Sequence, residues 1–199
     1  MIRHLIVCST LFLFLFSCNN GNAPLAGAAF DSTGFQLEDI PGTGYQHALK
    51  MGENSYIQEE GNLLNGQKEG TWITYHPATP FPATIANYTA GAYNGTYLEF
   101  TEHGQMSLRA TYQNNKLHGF WGKYSFGRPE MEAFYKDGQL NGPYYEYDTH
   151  DGKLQKEINY KNGKQDGKYR FYNEEGKVTV EYDYRDGEKV GGGIVGEGQ

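Results

Sequence analysis

Residues 160–177 read YKNGKQDGKYRFYNEEGK, and this stretch decides the fold because it recurs along the chain. Its skeleton is aromatic-x-(Asn/Asp)-Gly-x-x-x-Gly-x-(Tyr/Trp)-x-x-(Tyr/Phe). With its second glycine, Gly167, as reference, the same register holds Gly70, Gly95, Gly119 and Gly142, and a truncated copy at Gly191. The spacings are 25, 24, 23, 25 and 24 residues. Two positions after each reference glycine stand Trp72, Tyr97, Trp121, Tyr144 and Tyr169; five positions after stand Tyr75, Phe100, Tyr124, Tyr147 and Tyr172. Seven positions before stand Leu63, Tyr88, Tyr112, Tyr135, Tyr160 and Tyr184. Agreement at so many registers marks a repeat protein with a unit of about 24 residues.

Each unit predicts two strands and two tight turns. Asn65-Gly66, Asp137-Gly138, Asn162-Gly163 and Asp186-Gly187 supply the positive φ angles of a two-residue type I′ hairpin, and Asn114-Asn115 suits it too. Ala90-Gly91 fits poorly at its first position. Upstream of the turns the residues alternate: Met106, Leu108, Ala110 and Tyr112 on one face, Ser107, Arg109 and Thr111 on the other. Val178, Val180, Tyr182 and Tyr184 repeat the pattern, as do Leu154, Ile158 and Tyr160 with Lys156 intruding. Period-two alternation reads as half-buried strand. Downstream, the aromatics two and five positions after the glycine differ in parity and so face opposite sides of a sheet. A second turn closes on Gly104 or Gly176, while the prolines of residues 77–82 predict a bulging loop.

The expected fold is all-β: an elongated single-layer antiparallel meander or solenoid of about five hairpin repeats of about 24 residues. The array is expected over residues 51–190, with 191–199 as a C-terminal tail. Composition agrees. Tyr (17) and Gly (27) are abundant while hydrophobic residues reach 38%, too few for a thick aliphatic core. Stacked aromatics must therefore supply the burial, about 4–6 kcal/mol each as an upper estimate.

The N-terminus predicts export. Arg3 and His4 precede a run from Leu5 to Phe16, apolar apart from Ser9 and Thr10. As a helix this run would span about 18 Å, short of the roughly 30 Å of bilayer hydrocarbon. Residues 1–17 therefore read as a signal peptide. Leu15-Phe16-Ser17-Cys18 resembles the bacterial lipobox, in which the cysteine becomes the acylated first mature residue. Cys18 is the candidate lipidation site, and Cys8 lies in the discarded segment, so the mature chain forms no intramolecular disulfide. Residues 18–50 read as a lipidated N-terminus and flexible spacer. The expected location is the bacterial cell envelope, at the outer membrane.

Tyr160–Lys177, and nearly as well Tyr135–Gly152, resembles the bacterial variant of the MORN repeat, over roughly residues 61–190. The resemblance implies an elongated β-hairpin ribbon with scaffolding, membrane-associated or protein-binding roles, and some bacterial members carry an antitoxin-like label. It implies no catalytic residues and no cofactor.

Nothing else in the sequence points to chemistry. The five histidines beyond the leader, His47, His76, His103, His118 and His150, show no metal-ligand spacing, and no calcium loop, nucleophile elbow or phosphate loop is present. A net charge of −7 without a basic stripe disfavours nucleic acid. The expected function is a non-catalytic, membrane-anchored repeat module that binds another envelope protein. Alternatives are a carbohydrate-binding surface protein, with exposed Trp and Tyr receiving glycan, and an antitoxin-like immunity protein.

Overall fold

A computed structural model describes residues 29–52, 55–77 and 79–196. Its strands are β1 (Phe35–Asp39), β2 (Tyr45–Met51), β3 (Ile57–Leu64), β4 (Gln67–Tyr75), β5 (Pro82–Thr89), β6 (Ala92–Phe100) and β7 (Met106–Gln113). They continue with β8 (Lys116–Ser125), β9 (Arg128–Lys136), β10 (Gln139–Tyr147), β11 (Leu154–Lys161), β12 (Lys164–Tyr172), β13 (Val178–Arg185) and β14 (Glu188–Ile194). All lie in one open sheet in strict chain order, every neighbouring pair antiparallel. The single-layer meander read from the sequence is the observed architecture.

The turns form as their residues dictate. Asn65 and Gly66 have φ of 52° and 71°, Asn162 and Gly163 50° and 80°, the left-handed pairs of a type I′ hairpin. Ala90 adopts φ 48° despite its Cβ. Two bonds hold it there: its N–H donates to Glu69 Oε2 at 2.8 Å and that of Gly91 donates to Lys68 O at 2.9 Å. In the shortest repeat the β8–β9 connection is a further two-residue turn at Phe126 and Gly127.

The reference glycines prove to be bulges. Between the pairs Asn62↔Glu69 and Glu60↔Ile73, β4 carries two more residues than β3. The surplus sits at Gly70, and its equivalents in β6, β8, β10 and β12 behave alike. Gly70, Gly95, Gly119, Gly142 and Gly167 take φ of 71°, 110°, 95°, 122° and 108° there, open to glycine without strain. A Cβ on Gly142 or Gly167 would also stand 3.2 Å from Phe134 Cβ or Asn159 Cβ. Each bulge increases the local twist of its strand.

Two boundaries differ from expectation. The spacer expected over 18–50 is structured from residue 35 on, because β1 and β2 pair with each other and β2 with β3. Gly34, Gly42 and Gly44, which made this region read as flexible, are turn residues with φ near +75° to +79°. The tail expected from residue 191 still belongs to the sheet, since β14 runs to Ile194. The expected signal peptide and Cys18 lie outside the described residues.

Candidate functional site

Alternation gives the sheet two faces of different chemistry. The tryptophan face carries the aromatics two positions after each reference glycine, and these stand in one row across the strands. The direct partners along it run Trp72, Ala86, Tyr97, Ala110, Trp121, Ala133, Tyr144, Ile158, Tyr169, Tyr182 and Gly192. From Trp72 to Tyr144 large and small residues alternate strictly. Ala86 is 3% exposed, and Ala110 and Ala133 are 0% exposed, because rings on both sides lean over them. Among the described residues this layer has no opposing sheet, so from Trp72 to Tyr144 it covers its backbone by laying each ring across a neighbour that is too small to prop it up.

A second row adds the tyrosines seven positions before the glycines. Trp72, Tyr88, Tyr93, Tyr97 and Tyr112 form a continuous ring network, with centroids 4.8–6.4 Å apart. Further along, Tyr144 meets Tyr160 at 6.0 Å and Tyr169 meets Tyr182 at 5.9 Å. Burial first, then nearby Tyr and Glu oxygens, push the Tyr88, Tyr97 and Tyr144 hydroxyls well above the usual phenol range. Tyr97 and Tyr144 donate to Glu99 and Glu146, two residues on, at 2.9 and 3.0 Å. Lys156, the intruder in its strand, lies on this face because its ammonium pairs with Glu146.

The start of this face differs from the rest. Phe30 and Phe35 pack over Trp72 with centroids at 5.2 and 6.2 Å, and the Phe30 N–H donates to Gly66 O. Lys68 Nζ stands 4.1 Å from the indole centroid, and the indole N–H donates to Asn62 O at 2.9 Å. Trp72 is consequently 2% exposed. Trp121, Tyr144, Tyr169 and Tyr182 occupy the same row and are only half-buried.

The reverse face is polar in its later repeats. Tyr75, Tyr147 and Tyr172, five positions after their glycines, donate to Glu60, Glu132 and Glu157 at 2.6, 2.9 and 2.7 Å. Burial and the Glu60 hydrogen bond push Tyr75 up to about 12. Arg170 bridges Glu157 and Glu181, and Lys168 joins Glu181 to Asp183.

Sequence reasoning placed both aromatic lines on the faces they occupy. It missed the alanine column, whose signal is a small residue nine positions before Gly95, Gly119 and Gly142, at Ala86, Ala110 and Ala133. It also missed a clasp between repeats, in which the residue before the bulge glycine accepts an N–H from the next turn: Glu69 from Ala90, Asn141 from Asn162, Asp166 from Asp186. The histidines are scattered among local partners. His76 Nε2 is 2.8 Å from Phe100 O, and His118 Nδ1 is 3.4 Å from Asp137 Oδ1. Among the described residues no group of three or more His, Cys, Asp or Glu is arranged to hold a metal. No helix among them is long and apolar enough to cross a membrane.

Residues 140–162 and 165–186 match a family model described as MORN repeat variant. The chain carries MORN-variant repeats. Each matched MORN unit begins just after one type I′ turn and ends at the next, so it comprises β10 with β11, then β12 with β13. No curated protein matches the chain significantly. Among solved structures, it is similar to a point mutant of S. aureus TarM in complex with fondaparinux, alpha-GlcNAc-glycerol and UDP. That similarity has 10% identity and a TM-score of 0.29, covering 67% of this chain and 21% of the other. The chain thus spans about a fifth of that protein's length, and a score so low carries no functional argument. The MORN-variant repeats of residues 140–186 support a repeat-based binding or scaffold module.

Proposed function

We propose that the protein is exported, lipid-anchored through Cys18 to the bacterial cell envelope at the outer membrane, and binds another envelope protein through its MORN-variant repeats without catalysis. The reading is carried by the tryptophan face beyond Trp72, where Trp121, Tyr144, Tyr169 and Tyr182 stand in one row and remain half-buried. Aromatic side chains presented on a rigid sheet are strong interface anchors, because they bring large contact area at small conformational cost. A photo-crosslinker at Phe171, 40% exposed on this face, tests it in intact cells. The expected product is one specific envelope protein, lost when Tyr144→Ala and Tyr169→Ala are combined, and Cys18→Ser releases the chain from the membrane fraction. Crosslinks to no specific protein overturn the partner, and unchanged membrane association of Cys18→Ser overturns the anchor.

A glycan is the second reading, favoured by the pairing of ring and carboxylate at Tyr144 and Glu146. Trp121 fluorescence unmoved by any envelope polysaccharide removes it.

A further inference from the structure

Among the described residues the open sheet ends in two edges, β1 and β14, and they are not alike. β1 carries exposed Glu38 and Asp39, the kind of charge that discourages pairing with another strand. From residue 190 to 196, β14 and the residues after it read VGGGIVG, without a charge or a proline. Ile194 is 84% exposed and Val195 45% exposed there. An unpaired strand edge bearing large apolar side chains and no charge is a template for strand addition.

We propose that this edge pairs antiparallel with β14 of a second copy, about a two-fold axis that sets Gly193 opposite itself. In this register Ile194 of each copy falls opposite Gly192 of the other, and Val195 opposite Gly191. Ile194 against Gly192 thus repeats the large-against-small pattern that the tryptophan face shows from Trp72 to Tyr144. Tyr182 already lies opposite Gly192, and the partner's Ile194 takes the other side of that glycine. Both halves of the fit are present in one strand, which is what a two-fold contact demands of a single surface. Charge permits the approach. The chain is acidic overall, at −7, but the paired segment carries no ionisable side chain, and Lys189 is already seated over the Tyr182 ring at 3.4 Å. Pairing β14 with β1 instead would bring up Glu38 and Asp39 and leave an open-ended chain of molecules rather than a closed dimer.

Sedimentation of the full chain over a range of concentrations tests the contact, with three variants. A Cβ added at Gly193 meets nothing within 4 Å and its φ is outside the left-handed region, so Gly193→Lys leaves the monomer intact. At the two-fold axis it sets two ammonium groups against each other. The expected result is a concentration-dependent dimer for the native chain, and monomer for Gly193→Lys and for Ile194→Lys. Phe126→Lys, at the 86% exposed tip of the β8–β9 turn, should keep the dimer. A native chain that is monomeric throughout overturns the proposal. So does a dimer that survives Gly193→Lys, or one lost equally in Phe126→Lys, which would mark general apolar adhesion.

Discussion

Trp72 and Trp121 occupy the same register of the repeat, on the same face, each directly opposite an alanine that is at most 3% exposed. Trp72 is sealed under Phe30 and Phe35, whereas Trp121 remains half-buried. The repeat therefore supplies the bed on which a ring lies, and the cover comes from elsewhere, here from Phe30 ahead of β1 and Phe35 at its start. Stability and availability for binding separate along one surface: the first repeats are closed by their own chain, and the later ones present their rings.

This contrast can be broken in graded steps. Trp72→Ala should be the most damaging change, costing about 3–5 kcal/mol in chemical unfolding, against clearly less for Trp121→Ala; equal losses would dissolve the distinction. Ala133→Leu should cost about 1–3 kcal/mol, because the alanine is fully buried and the extra methyls would lift the rings of Trp121 and Tyr144. Phe30→Ala should cost about as much or less and shift Trp72 emission to the red in a Trp121→Phe background, while the mirror measurement on Trp121 stays unmoved. Tyr172→Phe, on the reverse face, removes one hydrogen bond to Glu157 and should cost about 0.5–1.5 kcal/mol.

Alkali should sharpen the comparison. Tyr88 and Tyr97 have folded pKa values raised by burial, and Tyr75 is raised to about 12, so the folded chain holds its phenolic protons longer than the unfolded one. Their contribution is complete below the unfolded value of about 10 and is lost as pH climbs through the folded values. The phenolate absorbance of Tyr75, Tyr88 and Tyr97 should therefore lag and rise together with unfolding.

Much of this was legible beforehand. The Asn-Gly turns, the strand alternation and the opposite faces of Trp72 and Tyr75 follow from local chemistry, and repetition made each signal visible several times. What lacked repetition was missed. β1 and β2 occur once, and their glycines look like those of a spacer until the pairing with β3 is known. The alanine column was overlooked because alanine is a weak apolar signal alone, and its importance arises only from the rings across the strand. The reference glycines were recognised as markers, but their role as bulges depends on φ angles that only the paired strands impose.

The unbroken order of the sheet has a mechanical consequence. Every strand bonds only to its neighbours in the chain, so a pull between the two ends meets the hairpins in series rather than in parallel. Under tension such a ribbon peels one hairpin at a time and rewinds when slack returns, lengthening in steps while the remaining units stay folded.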